Sequence, residues 1–242
     1  MQHEIKPNLK NKIIVFIIVI VAICGVGILL YFNMYKNKKM ELSDLQKYVV
    51  KIYIDDGTNN TTGSGVIISK NKEKLFICTN AHILNRETIG TITFFNGEEH
   101  SYQKELIDEE SDIAVASISL SEISEDIINT CKQNIINASG KNKSVVEKNN
   151  PGEKLNMITF DGTVSSGESL GIATINEWPK PILETNIDIQ PGVSGSPIFD
   201  DGGRLVGIAM AKLHIAGYDE RYFIVPSSYL IKNVMDNCNI FN

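Results

Sequence analysis

Three short segments of this 242-residue chain carry side chains that could together perform nucleophilic catalysis. His82 ends the segment Thr-Asn-Ala-His, Asp112 opens the apolar run Asp-Ile-Ala-Val, and Ser194 lies within Gly-Val-Ser-Gly-Ser-Pro. A serine hydroxyl is a weak nucleophile that needs a base within hydrogen-bond reach, and the base needs a third group to hold its tautomer. These side chains supply the three roles, which predicts acyl transfer with His82, Asp112 and Ser194 as the catalytic residues.

The glycines around Ser194 have a separate predicted role. A tetrahedral oxyanion needs backbone N–H donors, and glycine lets the chain turn sharply enough to aim two of them at one point. We expect the amides of Gly192 and Ser194 to form this oxyanion hole. The chain order His, Asp, Ser, together with Ser196 in the place of a second glycine, excludes the Gly-x-Ser-x-Gly elbow of the α/β-hydrolases.

The stretches that must position these side chains are short, apolar and rich in Val, Ile, Phe and Tyr. They are residues 48–54, 65–69, 74–80, 91–95, 113–120, 155–160, 169–175, 204–211 and 221–225. The turn pairs Asn96-Gly97, Asp161-Gly162 and Gly202-Gly203 separate some of them. This pattern predicts an all-β fold, as a sandwich or barrels, rather than βαβ units.

The remaining segments of the body are a connector and one helix. Residues 121–150 are polar apart from a weakly helical patch near 127–136, so they divide the β region into parts at about 45–125 and 150–225. Pro226 and two serines precede an i, i+4 apolar stripe, which predicts a helix over 226–238.

The N-terminal region has the pattern of a membrane anchor. Residues 13–32 are 20 consecutive residues without charge, flanked by a basic tail (1–12) and a polar linker (33–44). As a helix this stretch spans about 30 Å, the thickness of the hydrocarbon core of a bilayer. A cleaved signal peptide is disfavoured because no small-x-small site follows, and a lipoprotein signal because bulky Ile23 precedes Cys24. Three lysines flank each side, so charge does not set the orientation.

Charge and cysteine content exclude other classes of function. Residues 1–40 hold six lysines and one acid, whereas the other 202 residues hold 17 basic and 28 acidic residues. A body this acidic disfavours nucleic-acid binding. No Cys or His spacing suggests zinc, and we expect neither a metal nor a cofactor. Cys131 and Cys238 could form one disulfide or remain reduced.

The sequence around these residues resembles the trypsin-like serine peptidases of the HtrA (Deg) type. The resemblance lies in residues 63–84, 111–118 and 184–208, with weaker blocks at 163–167 and 222–230. It implies two six-stranded antiparallel chymotrypsin-like β-barrels within residues 45–242, with His82, Asp112 and Ser194 in the cleft between them and a C-terminal helix. It also implies a single-pass, membrane-anchored endopeptidase that cleaves extended or misfolded proteins at the outer surface of a bacterial plasma membrane.

Two departures from the family bear on activity. Val193 stands where the family usually has Asn or Asp. This difference puts in question the resting geometry of residues 190–196, the oxyanion loop. The chain ends soon after its predicted final helix, so we expect no PDZ domain. A catalytically silent or latent module that binds a partner peptide in the cleft stays open as an alternative. The oligomeric state stays open too, a homo-oligomer included.

Side-chain preference is the least determined feature. By the family resemblance, Ile189, Ala211 and Ile224 would line a small apolar specificity pocket. Asp188 lies six residues before Ser194, where trypsin has its selector for basic residues. An inward-pointing Asp188 would favour Lys or Arg, whereas a solvated Asp188 would leave the apolar preference.

Overall fold

The structure is a computed structural model, and it describes residues 18, 21–27, 41–55, 60–84, 89–131, 150–175, 178–213 and 220–230. The chain divides into two compact units, Met1–Lys39 and Met40–Asn242. The second unit contains all thirteen described strands.

The first unit contains part of the predicted membrane anchor. Residues 21–27 are helical, and the side chains of Ile18, Val21, Ile23 and Val26 are 56–66% exposed. The other residues of the predicted 13–32 anchor lie outside the described residues. Within the described part of the chain, no helix has the length and apolar character needed to cross a membrane.

Seven antiparallel strands of the second unit form one sheet. They are β1 (Val49–Asp55), β2 (Asn60–Lys70), β3 (Lys74–Thr79), β4 (Ile89–Thr93), β5 (Glu99–Ser101), β6 (Gln103–Asp108) and β7 (Ile113–Ser119). Their spatial order is β5-β4-β1-β2-β3-β7-β6. The central strands bury most of their residues, and six of the seven residues of β7 are buried.

The expectation of a closed six-stranded first barrel was wrong for the residues that the structure describes. The two edge strands, β5 and β6, are separated in sequence by Tyr102 alone. Because adjacent Cα atoms are 3.8 Å apart, the sheet must roll until its edges meet at this residue. Those two edges share no hydrogen-bonded ladder in the described strands, so this first sheet is a half-barrel.

Six further strands close a second barrel. They are β8 (Lys154–Ile158), β9 (Val164–Ala173), β10 (Ile182–Thr185), β11 (Pro197–Asp200), β12 (Leu205–Leu213) and β13 (Arg221–Pro226). Their order around the barrel is β10-β13-β12-β11-β8-β9. The second barrel therefore has the number of strands that the family resemblance implied, and the fold is all-β and chymotrypsin-like.

Short helices complete the described structure. They are Leu42–Gln46, Ala81–Leu84, Glu125–Thr130 and a single turn at 227–230. The predicted C-terminal helix is thus seen only at its start, and residues 231–238 lie outside the described residues. Cys131 is a free, buried thiol, and Cys238 lies outside the described residues.

The three turn pairs found in the sequence are confirmed. Gly97, Gly162 and Gly203 each have a positive φ and lie between consecutive antiparallel strands. The Gly162 turn packs closely against the helix Leu42–Gln46, since a Cβ on this glycine would collide with the Gln46 side-chain amide. The start of the second unit therefore contacts the β8–β9 hairpin.

Candidate active site

The end of β3 positions His82. The chain leaves this buried strand at Thr79, and a single helical turn, Ala81–Leu84, presents the imidazole. Ala81, Ile83 and Leu84 are buried, whereas the His82 side chain is 50% exposed. Burial of its neighbours therefore fixes the turn while the imidazole remains accessible.

Asp112 contacts His82 in two ways. Its carboxylate lies 2.9 and 3.0 Å from His82 Nδ1, through Oδ2 and Oδ1, and Oδ1 also accepts the His82 backbone N–H at 2.9 Å. The Asp112 side chain is 6% exposed, so this contact is shielded from water. A carboxylate in this position holds the Nδ1–H tautomer and leaves Nε2 free to accept a proton.

The backbone of Asp112 is in an uncommon conformation. Its φ of +51° is the only positive φ among the described residues other than glycine. The buried Asn80 side chain donates to the Asp112 carbonyl at 3.2 Å. Asn80 lies in the Thr-Asn-Ala-His segment that drew attention in the sequence, but nothing there distinguished it from any other loop asparagine.

Ser194 lies in the second of two consecutive β-turns. Val193 N–H donates to the Gln190 carbonyl at 3.3 Å, and Ser196 N–H donates to the Val193 carbonyl at 2.9 Å. Gly192 (φ +96°) and Gly195 (φ +82°) occupy the third position of each turn, where a type II turn needs a positive φ. The amides of Gly192 and Ser194 donate no hydrogen bond to any part of the chain that the structure describes.

This loop of the second barrel packs against the first sheet beside His82. Ser64 N–H donates to the Ser194 carbonyl at 2.8 Å. Gly195 lies so close to the Ser64 carbonyl that a Cβ would overlap it, and this Cβ would lie 2.5 Å from Thr79 Oγ1. Because Thr79 is three residues from His82, the structure brings the serine loop to the part of the first sheet that holds His82 and Asp112.

The Ser194 hydroxyl makes a different contact from the one a triad needs. It donates to the Met210 carbonyl of β12 at 3.3 Å. Within the described structure it makes no hydrogen bond to the imidazole. The pair of His82 and Asp112 is therefore assembled, while the serine side chain is turned towards its own barrel.

Val193 has an apolar environment. Its half-buried side chain packs against the hydrophobic core of the second barrel, which includes Leu155, Met157, Ile189 and Ile224. The family's polar residue is thus replaced by a side chain that attaches the oxyanion loop to this core.

The predicted pocket residues lie in different environments. Ile189 and Ile224 are almost completely buried in the core of the second barrel. Asp188 is exposed, and its two oxygens lie 2.6 and 2.7 Å from Gln190 Nε2. Hydrogen bonding to Asp188 also raises the pKa of Tyr222 above its ordinary value. The Ala211 side chain lies outside the described residues.

A cleft of about 460 Å³ runs between the two sheets and reaches the oxyanion loop. The first sheet contributes Lys51 and residues 62–64, and the second barrel contributes the β8–β9 hairpin together with Asp188, Gln190, Gly192 and Val193. The hydrogen bond from the Thr159 hydroxyl lowers the pKa of Asp161 in this hairpin, so its carboxylate stays charged. No metal-binding cluster of three or more His, Cys, Asp or Glu occurs among the described side chains.

A family model for the trypsin-like peptidase domain matches residues 63–208, more than half of the chain. The chain belongs to this family. The family match and the serine protease homologues described next support a serine endopeptidase.

The related sequences are serine proteases of the HtrA type. The chain is 29% identical over 210 residues to "Serine protease Do-like HtrB" of Bacillus subtilis (strain 168), covering 77% of this chain and 44% of that protein. It is 28% identical over 194 residues to "Serine protease HtrA-like" of Staphylococcus aureus (strain USA300), covering 75% of this chain and 24% of that protein. The chain thus spans less than half the length of these relatives.

Solved structures share the fold of this trypsin-like domain. "HtrA-type protease AlgW with tripeptide" superimposes with a TM-score of 0.62 at 19% identity, covering 81% of this chain and 64% of that chain. The S227A form of the same protease, also with tripeptide, has a TM-score of 0.62 at 20% identity, covering 81% of this chain and 61% of that chain. This similarity supports the chymotrypsin-like architecture.

Proposed function

We propose that this trypsin-like domain hydrolyses peptide bonds through Ser194, His82 and Asp112. The observation that carries the proposal is the double contact of the Asp112 carboxylate with His82, at Nδ1 and at the backbone N–H. This contact fixes the imidazole in the tautomer that a general base requires. A histidine that served only packing would have no need of it.

The reaction proceeds through an acyl-enzyme. Ser194 Oγ forms a bond to the substrate carbonyl carbon while its proton passes to His82 Nε2, and the resulting oxyanion accepts hydrogen bonds from the amides of Gly192 and Ser194. The C–N bond then breaks as His82 returns the proton to the leaving amine. Water repeats these steps to release the acyl group, again with His82 as the base.

The resting contact of Ser194 with Met210 favours a second candidate, a latent form of the same enzyme. Rotation about the Ser194 Cα–Cβ bond must move the hydroxyl from the Met210 carbonyl towards His82 before attack. If substrate drives this rotation, the enzyme is active as isolated. If another ligand or a second copy is needed, covalent labelling of Ser194 will be slow until that partner is added.

Extended protein segments are the proposed substrates. The cleft beside Gly192 is open to both sheets and has space for several residues of an extended chain. Its lining includes charged side chains from both sheets, Lys51 on one and Asp161 and Asp188 on the other. A folded protein would not place its backbone within this cleft, which favours unfolded or flexible segments.

We also propose that residues 13–32 anchor the enzyme in a plasma membrane, with the peptidase domain outside a bacterial cell. The absence of charge over 20 residues supports insertion, as does the exposure of Ile18, Val21, Ile23 and Val26. Exposed aliphatic side chains on a helix are stabilised by lipid rather than by water.

A serine-directed fluorophosphonate probe tests the proposed function. We expect the full chain to be labelled and to cleave casein, and Ser194→Ala to do neither. Ser196→Ala is the matched control, because Ser196 is two residues away and its buried hydroxyl has no hydrogen-bond partner within the described structure. Equal labelling of the wild type and Ser194→Ala would refute the assignment.

A further inference from the structure

The turn that precedes Asp112 contains a group that the reaction scheme does not use. Residues 109–112 form this turn, closed by the Asp112 N–H donating to the Glu109 carbonyl at 3.3 Å. It ends in the positive φ of Asp112. Such a conformation persists only where neighbouring groups hold it, because an extended or right-handed backbone is intrinsically more stable. The groups that hold this turn therefore determine where the Asp112 carboxylate points.

Lys180 holds the turn from the second barrel. It lies just before β10, and its Nζ donates to Ser111 Oγ at 2.5 Å. The same ammonium lies 3.6 Å from Asp108 Oδ2 and 3.6 Å from Glu110 Oε2. One cation from the second barrel thus contacts three residues in the five that end at Asp112.

The contacts converge on a buried hydroxyl. Ser111 is 1% exposed and is the residue directly before Asp112. Its backbone N–H donates to Asp108 Oδ1 at 3.2 Å, so Asp108 contacts both the serine amide and the ammonium. A surface lysine that only paired with solvated acids would not reach a buried side chain. The Ser111 contact therefore distinguishes Lys180 from an ordinary surface ion pair.

Lys180 is itself held in place. Its Nζ lies 5.8 Å from the centre of the Tyr229 ring, and the Tyr229 hydroxyl donates to the Pro181 carbonyl at 2.6 Å. Asn80 holds the other side of the turn through the Asp112 carbonyl. The turn is thus held by Asn80 on the first sheet and by Lys180 on the second barrel.

We propose that Lys180 is a positioning residue that keeps the Asp112 carboxylate on His82. This inference rests on the proposed roles of His82 and Asp112. It makes the geometry of one half of the site depend on a cation supplied by the other half, so the two sheets must be docked before His82 is correctly oriented.

The test compares Lys180→Met with Lys180→Arg in the full chain. Lys180→Met keeps the apolar stem and removes the ammonium. We expect kcat to fall by about tenfold with KM changed less than twofold, because a small displacement of a catalytic group lowers the rate without affecting substrate contacts. Lys180→Arg, which retains the charge and donors, should restore most of kcat.

The matched control is Lys74→Met. Lys74 also forms an ion pair, with Glu105 at 2.6 Å, and its side chain is 35% exposed against 31% for Lys180. It lies at the opposite end of β3 from Thr79. Both methionine variants should lower the melting temperature by similar amounts, but only Lys180→Met should lower kcat.

A proton NMR readout separates this inference from the proposed function. The low-field resonance of the His82 Nδ1 proton, shared with Asp112, reports their contact without any turnover. We expect it in the wild type, Lys180→Arg and Lys74→Met, and expect it broadened or shifted in Lys180→Met. An unchanged resonance and kcat in Lys180→Met would overturn the inference, as would an equal loss in Lys74→Met. Absence of Ser194-dependent turnover would instead refute the proposed function while leaving the resonance to test Lys180.

Discussion

At the scale of single residues, the carboxylate of Asp112 has the largest expected effect on kcat among the groups that orient His82. We expect Asp112→Asn to lower kcat by about 10⁴-fold, because an amide nitrogen facing His82 Nδ1 would favour the wrong imidazole tautomer. Asparagine tolerates a positive φ, so the fold should be retained. Steady-state kinetics and circular dichroism check both expectations. Asp126→Asn, which changes an exposed acid in the helix Glu125–Thr130, should keep full activity.

The two glycines of the oxyanion loop should respond differently to the same substitution. A Cβ on Gly192 meets nothing within 4 Å, so Gly192→Ala suffers only backbone strain, about 1–2 kcal/mol. Gly195→Ala adds a collision with the Ser64 carbonyl, for a total of about 2–5 kcal/mol. Urea unfolding of both variants measures the difference. Equal destabilisation would contradict the close packing of this loop on the first sheet.

The side-chain types of the site could be predicted from sequence, whereas their present contacts could not. His82 and Asp112 lie together as their proposed roles require, and that much follows from residue type and strand ends. The Ser194 rotamer and the Asn80 and Lys180 contacts depend on how two separate sheets dock. No local pattern encodes a contact between residues 69 positions apart, such as that of Lys180 with Ser111.

At the scale of secondary structure, Glu98 joins the β4–β5 hairpin to the helix Glu125–Thr130. Hydrogen bonding from Ser124 is the main cause that lowers the pKa of Glu98 from its ordinary 4.5 to about 2, and His100 and Asn96 add to it. The folded state therefore prefers the ionised carboxylate. This contribution to stability is complete above pH 4.5 and is lost as the pH falls towards 2.

Glu98→Gln tests this pH dependence. We expect the variant to be less stable than the wild type at pH 7 and the difference in melting temperature to shrink between pH 4.5 and pH 2.5. Thermal unfolding followed by circular dichroism at several pH values measures it. Glu99→Gln, next along the chain, is the control for the loss of one acidic side chain from the same hairpin. If the difference in melting temperature between Glu98→Gln and the wild type stays constant with pH, the lowered pKa of Glu98 is contradicted.

The strands that were predicted from the sequence have both a buried face and a length of five or more residues. The strands it missed were β5, β6, β10 and β11. β6 reads Gln-Lys-Glu-Leu-Ile-Asp, and its first three residues are exposed, so hydrophobic alternation is absent there. β10 and β11 have only four residues each, too few for a periodic pattern. These strands exist because neighbouring strands offer them unpaired backbone groups.

At the scale of the whole molecule, the acidic body and the cleft should favour cationic substrate segments. We expect Asp161→Asn with Asp188→Asn to lower kcat/KM for a lysine-rich peptide about threefold, and to leave a neutral peptide unchanged. Added salt should also lower kcat/KM of the wild type for the lysine-rich peptide, because salt screens exposed charges. Lys51→Gln, which removes the cation from the same cleft, should raise kcat/KM for the lysine-rich peptide.

The membrane proposal predicts how the full chain fractionates. Expressed in bacteria, it should stay in the membrane pellet after alkaline carbonate and dissolve in detergent. Val21→Asp with Ile23→Asp should release it, since each buried charge costs about 3 kcal/mol in a bilayer. Leu170→Asp with Ile172→Asp is the control, as these side chains are similarly apolar and exposed but lie on β9. The proposed anchor would be contradicted if the control variant were released from the membrane pellet and the variant with Asp at positions 21 and 23 were retained.

Tyr102 gives the rolled first sheet an unusual vulnerability. It is the one residue between β5 and β6, so a single peptide-bond break there would liberate the ends of both outer strands at once. Each strand end could then move away from the sheet and present its outer main-chain donors and acceptors to other molecules, the starting point of strand-mediated aggregation. A copy of this chain that is cut at this residue by a neighbouring copy is therefore expected to aggregate rather than persist as a cut but folded domain.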